Sequence, residues 1–274
     1  MKKILVLTAL FFLVSGCQRK TVVVGKIWDD IPDISIVDRD LDTSKFTHLS
    51  AAKVAWGIGK EVDENNQPVD CINANEKYGK YDAEFVKEPN HEVYLTFDNG
   101  YENGNTYEIL DVLKEKDVQA LFFLTSQYVL ENPDLVQRMI DEGHLIGNHS
   151  WHHHSFPEIS MNDQVKEIVS LDDLLINQFQ YKMNYIRPPK GEFSEQSLAV
   201  SQALGYTTLL WSVAYYDYNV NDQPDHEKSL KKLLDMAHPG AIYLLHSVSD
   251  TNAAILKDLI DGLRNLNYKM GSFD

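Results

Sequence analysis

A chain of 274 residues, 43% of them apolar, has enough apolar side chain for a sizeable core in one or two domains. Its formal charge of −16 at pH 7, with no basic run or stripe, argues against a nucleic-acid partner and against a densely anionic polymer, but suits a neutral or weakly charged glycan. Two cysteines, Cys17 and Cys71, are too few for a disulfide framework or a cysteine-ligated zinc site.

Residues 1–16 are a processing signal and stand outside the fold. Lys2 and Lys3 precede an apolar run, Ile4 to Val14, that is too short to span a bilayer comfortably. Val14-Ser15-Gly16-Cys17 then resembles a bacterial lipobox, so cleavage before Cys17 and a lipid anchor on it are expected. That would hold the exported chain on the outer face of the cytoplasmic membrane. An ordinary secretory signal that contains a cysteine is the plainer alternative. Lipidation of Cys17 leaves Cys71 without an intramolecular partner, which favours burial of its thiol.

Residues 17–90 read as a tether plus an extension packed on the main domain. Asp29, Asp30, Asp33, Asp38, Asp40 and Asp42 crowd its first part, and Glu61 to Pro68 is polar and turn-like. Only His48 to Ile58 has the apolar character to dock, and the rest is too sparse for an independent core. From Val93 the pattern becomes regular. Strand-like runs at Val93–Phe97, Ala120–Leu124, His144–Asn148, Asn184–Arg187, Thr207–Trp211 and Ala241–Leu245 alternate with helical patterns. The helices are expected at Thr106–Lys116, Pro133–Glu142, Asn162–Phe179, Glu195–Leu204, Glu227–Ala237 and Thr251–Leu266. Such alternation indicates βα units and a parallel sheet, in either a small barrel or an open doubly wound arrangement. No phosphate-cradling loop is present, because Asn99 to Gly104 lacks both the Lys-Ser/Thr pair and the three-glycine spacing.

Five segments carry the chemistry, each at the C-terminal end of an expected strand: Tyr94-Leu95-Thr96-Phe97-Asp98-Asn99-Gly100, Gly147-Asn148-His149-Ser150-Trp151-His152-His153, Arg187-Pro188-Pro189-Lys190-Gly191, Trp211 through Tyr218, and Leu244-Leu245-His246. Hydrolysis of an amide needs an activated water, a polarised carbonyl, a donor for the oxyanion and an acid for the leaving amine. Asp98, leaving a strand end, is the candidate base; a carboxylate capping the turn before the next helix is the plainer reading. Four histidines crowd positions 149–154. On a helical turn His149 and His153 share a face while His152 and His154 diverge, so the first two are the candidate metal ligands. A polar loop with adventitious metal affinity is the bland alternative.

In order and spacing these five segments resemble the polysaccharide deacetylase family, the NodB-like carbohydrate esterases. The runs Thr96-Phe97-Asp98-Asn99-Gly100-Tyr101-Glu102-Asn103-Gly104 and His238 to His246 are similar to its delta-lactam-biosynthetic de-N-acetylase branch. The resemblance covers about Val93 to Lys269. It implies an α/β fold, a distorted (β/α) barrel with seven or eight parallel strands, with the catalytic domain in residues 91–274. It also implies Asp98 as general base, His246 as general acid and His149 with His153 as metal ligands. Arg187 would orient Asp98, the Lys190 backbone N–H would face the oxyanion, and Leu244 would line the acetyl pocket. Two departures stand out. Asn99 replaces the family's usual second aspartate, so a zinc or other transition-metal cation would be held weakly, with Asn99 a doubtful ligand. Ala214 replaces another aspartate, which leaves Asp217 to brace Arg187 and Tyr218 to wall the acetyl pocket, while Trp211 reads as core. The expected activity is deacetylation of N-acetylmuramic acid in peptidoglycan glycan strands, a step toward the muramic delta-lactam of spore cortex. The alternatives are an N-acetylglucosamine deacetylase and a wall-binding barrel without turnover.

Overall fold

A computed structural model describes residues 41–273. The signal run, Cys17 and the acid-rich stretch before residue 41 lie outside the described residues. No helix among the described residues is long and apolar enough to cross a membrane.

Ten strands and eight α-helices follow one another among the described residues. The strands are β1 (Val54–Ala55), β2 (Ala83–Glu84), β3 (Glu92–Asn99), β4 (Leu121–Leu124), β5 (Leu145–Asn148), β6 (Tyr185–Ile186), β7 (Glu192–Phe193), β8 (Thr207–Leu209), β9 (Ala241–His246) and β10 (Lys269–Met270). The helices are α1 (Val69–Tyr78), α2 (Thr106–Lys116), α3 (Ser126–Glu131), α4 (Pro133–Asp141), α5 (Met161–Phe179), α6 (Glu195–Ala203), α7 (His226–Asp235) and α8 (Asp250–Asn265).

Eight of the strands form one sheet in which every pairing is parallel. Its order is β9-β3-β4-β5-β6-β8-β2, with short β10 pairing at the foot of β3. β3 is buried from Val93 to Asn99 and β4 throughout, as strands covered on both faces must be. The sheet curls until its ends meet. After β8 the chain reaches β9, where Ser212 and Val213 N–H donate to Ile242 O and Leu244 N–H donates to Val213 O. After β2, Lys87 N–H donates to Gly240 O. The seam is stitched by these irregular bonds instead of a full ladder, which is the distorted barrel the resemblance implied.

Residues before Val93 contribute more than their sparse apolar content suggested. β2 pairs with β8 inside the barrel sheet, and β1 pairs antiparallel with β7, beside the Arg187 segment. α1 buries Cys71, Ala74 and Tyr78 against Phe85 and Phe193, and burial pushes the Cys71 thiol up to about 12. Trp56 packs edge-on to Phe85 at 4.5 Å and donates its indole N–H to Trp211 O.

Gly240 sits at the seam with φ +75°, and a Cβ there would lie 2.4 Å from Lys87 O and 2.8 Å from Glu88 O. Gly240→Ala therefore meets both a disfavoured backbone region and immovable carbonyls. It should destabilise the chain by about 1–3 kcal/mol, read as a lowered urea midpoint, with no change of fold by circular dichroism.

Candidate active site

The barrel's parallel strands deliver their C-terminal ends to one rim, and the candidate residues meet there. Asp98 and His246 are register partners on neighbouring strands β3 and β9. His149 follows β5, whose last residue pairs with Ile186, and Arg187 comes next in the chain.

Arg187 is fully buried and is the largest such side chain among the described residues. Its guanidinium lies over the Phe123 ring, 4.2 Å from the centroid. Nη1 donates to Asp98 Oδ1 at 2.7 Å, Nε to Leu209 O at 2.9 Å and Nη2 to Leu210 O at 3.2 Å. The fork thus ties β8 to β3 and aims the carboxylate. Burial pushes the Asp98 carboxyl up, but the charges of Arg187, His149 and His246 outweigh it and hold Asp98 below the usual carboxylate range.

His149 donates from Nδ1 to Arg187 O at 2.9 Å, which leaves the Nε2 lone pair facing the rim. That atom lies 3.5 Å from Asp98 Oδ2 and 3.2 Å from His153 Nε2. Burial lowers both imidazoles, and His149 adds to the effect on His153, which falls to about 3. The two histidines converge, but not on a helical turn as expected. They sit on a loop in which Ser150 has φ +69° and His153 φ +59°. Local bonds impose this shape: Asn148 Oδ1 accepts from Ser150 N–H, and Ser150 Oγ accepts from His153 N–H. Short polar side chains here outcompete helix formation.

Two neutral imidazole nitrogens this close, with a carboxylate oxygen beside one of them, suit a divalent transition cation. Asn99 adds little to that set. It is buried, its Oδ1 accepts from Ser247 Oγ at 3.1 Å, and its Nδ2 has no hydrogen-bond partner among the described residues. It supplies no negative charge to a cation placed there.

Asp217 does not brace Arg187. The loop after β8 carries it instead to the end of β9, where its carboxylate accepts from His246 Nδ1 at 2.8 Å and from His246 N–H at 2.9 Å. Burial lowers His246, but the charge and hydrogen bond of Asp217 outweigh it and leave the imidazole raised. Asn252, in the first turn of α8, was not foreseen. Its Nδ2 donates to Asp217 Oδ2 at 2.6 Å and to His246 O at 3.0 Å, and its Oδ1 accepts from Tyr215 at 2.5 Å. Nothing in an isolated Ser-Asp-Thr-Asn run marks such a contact.

Tyr218 is 55% exposed and stands edge-on to the His246 ring at 5.8 Å. Leu244 is buried one turn of the pleat below His246. Lys190 has φ +61° in the tight turn Pro189–Gly191, and its charge reaches His153. Trp211 packs half-buried against two clusters of the core, as expected; a Cβ on Gly191 would strike its ring at 2.5 Å, and Arg187 lies 5.8 Å from its centroid.

Comparison with known proteins gives the family. The polysaccharide deacetylase family model matches residues 86–209. The peptidoglycan-N-acetylmuramic acid deacetylase PdaA of Bacillus subtilis is 42% identical over 81% of this chain and 84% of its own length. This chain belongs to the polysaccharide deacetylase family. The structure of Bacillus subtilis PdaA, a family 4 carbohydrate esterase, superposes with a TM-score of 0.77 at 39% identity, covering 82% of this chain and 96% of that one. A family 4 carbohydrate esterase from Bacillus anthracis superposes at 0.67 with 36% identity, over 82% and 95%.

Arg187→Met would leave Asp98 buried without its counter-ion. The variant should lose about 3–5 kcal/mol of stability near neutral pH. Its deficit should shrink as pH falls and the orphaned carboxyl takes up a proton. Urea unfolding at pH 7 and pH 4 checks both statements.

Proposed function

We propose that the chain is a peptidoglycan N-acetylmuramic acid deacetylase that hydrolyses the sugar acetamide. The observation that carries the reading is the pair of register partners at the rim, a carboxyl lowered by Arg187 and an imidazole raised by Asp217. One group ready to take a proton and one ready to give it, side by side, is the arrangement amide hydrolysis needs. Likeness to the Bacillus subtilis enzyme over most of both chains supports muramic acid as the sugar.

In this reading Asp98 takes a proton from the attacking water, and His246 delivers one to the departing amine. The Lys190 backbone N–H donates to the carbonyl oxygen as it gains charge, and Leu244 and Tyr218 wall the acetyl methyl. A divalent transition cation, weakly held on His149 and His153 with Asn99 at most a poor ligand, would supply polarisation of the carbonyl. The freed amine then lies beside the sugar's own lactyl carboxyl, once the stem peptide is gone. Condensation of that pair, with loss of one water from the carboxyl and amine, gives a six-membered lactam favoured by proximity, the form of muramic acid in spore cortex. A lipid anchor on Cys17 would keep the enzyme against the wall.

The test is mass spectrometry of glycan strands, with and without stem peptides, incubated with the protein across a series of added divalent metals. Acetate should leave muramic acid in peptide-free strands, and Asp98→Asn should slow that loss by about 10²–10⁴-fold. Loss from glucosamine instead keeps the mechanism and overturns the sugar. Binding without acetate release at any metal concentration leaves a wall-binding barrel, the reading that Asn99 and Ala214 would then explain.

The alkaline limb of kcat/KM should be set by His246, since activity needs its proton. That limb should lie above the ordinary histidine value of 6.5, because the folded imidazole is raised. Asp217→Asn removes the opposing charge and should move the limb to lower pH. A pH–rate profile of the two proteins reads the shift. In stability the same pair contributes below the ordinary histidine value, and the contribution is lost as pH rises through the raised one.

A further inference from the structure

A second cluster of metal-ligating side chains lies just outside the site described above, on the far side of the loop that carries His153. His152 Nδ1 is 2.6 Å from Glu167 Oε1, and His154 Nδ1 is 3.4 Å from the same oxygen. One ligand atom from each residue lies within 4.8 Å of the other two. We propose that His152, His154 and Glu167 form a second divalent transition-metal site, separate from the His149–His153 pair.

Several features favour a site over a chance meeting. Glu167 is a buried carboxylate on α5, its side chain only 8% exposed, whereas the two imidazoles are 46% and 56% exposed. The carboxylate is already fixed, because Oε2 accepts from His152 N–H at 2.7 Å and Oε1 is left to the two rings. The loop is anchored to the same residue by Trp151 N–H, which donates to Glu167 O. His152 and His154 flank His153, and the alternation of the chain turns His153 inward and its neighbours outward, so that their rings stack at 5.3 Å with a 24° tilt. An imidazole pair with one carboxylate, open to solvent on one side, is a donor set suited to zinc, nickel or copper and poorly suited to magnesium or calcium.

The two distances to Glu167 are near those a cation requires. Ligands at about 2.0–2.2 Å in tetrahedral array lie about 3.3 Å from one another. The His154 contact has that separation. The His152 contact is a hydrogen bond that must open by about 0.7 Å as the cation replaces its proton, which an exposed ring does by rotation. A cation so placed would bind the loop to α5 on both sides of His153. Metal bound outside would therefore steady a residue of the inner pair.

The test is isothermal titration of the metal-stripped full chain with zinc chloride, compared with His152→Asn/His154→Asn, with His154→Asn alone and with His149→Asn/His153→Asn. Melting curves without metal show that each variant is folded. The outer double variant should lose one zinc equivalent, and His154→Asn should bind that equivalent at least tenfold more weakly. The inner double variant should keep it, whether or not the inner pair itself binds zinc. That independence separates this site from the catalytic reading. An unchanged isotherm in the outer double variant overturns the proposal, as does an inner double variant that binds no zinc. Either result would leave Glu167 a brace for the loop and nothing more.

Discussion

The structure turns on one buried ion pair, Arg187 with Asp98. A guanidinium with no exposure to water is tolerable only when its donors are met and its charge is opposed. Two backbone carbonyls of the β8 end, the Phe123 face and the Asp98 carboxylate meet those conditions together. The same contacts draw β8 toward β3 across the barrel and hold the carboxylate at one angle and in one charge state. Packing and reactivity share a single cause here, so loss of Arg187 would harm both.

Around that pair the rim is divided into two proton-handling halves. On one side Arg187 helps hold the Asp98 carboxyl below its usual range; on the other Asp217 raises His246, Asn252 donates to Asp217, and Tyr215 donates to Asn252. The His149–His153 pair sits against the first half, its imidazoles lowered by burial and their Nε2 atoms 3.2 Å apart. Asn99, where a second aspartate would complete the metal's charge, is bonded to Ser247 instead.

Much of this was legible in the sequence because it depends on local rules. The helix at Thr106–Lys116 was read to the residue, and the parallel strands showed as short apolar runs between helical periods. The candidate site residues meet because parallel βα units put strand ends on one rim, so a motif after each run was enough to gather them. What failed depended on contacts between distant segments. Asp217 was assigned to Arg187 because spacing says nothing of which neighbour a loop carboxylate will meet. The histidine loop was read as a helical turn because two residues in left-handed conformation leave no periodic trace. β2 and α1 were missed because their few apolar side chains are completed by Phe193 and Trp211, far along the chain.

The central claim is that Asp98 and His246, register partners at the rim, hold opposite protonation states at the same pH. Carboxyl-carbon and imidazole-nitrogen NMR titration of the metal-free chain tests it most directly, with the two groups fitted as a coupled pair. The account predicts an Asp98 carboxyl that titrates below the ordinary aspartate value of 3.8 and a His246 imidazole that titrates above 6.5. An Asp98 that takes up its proton near neutrality, or a His246 neutral well below 6.5, would contradict it.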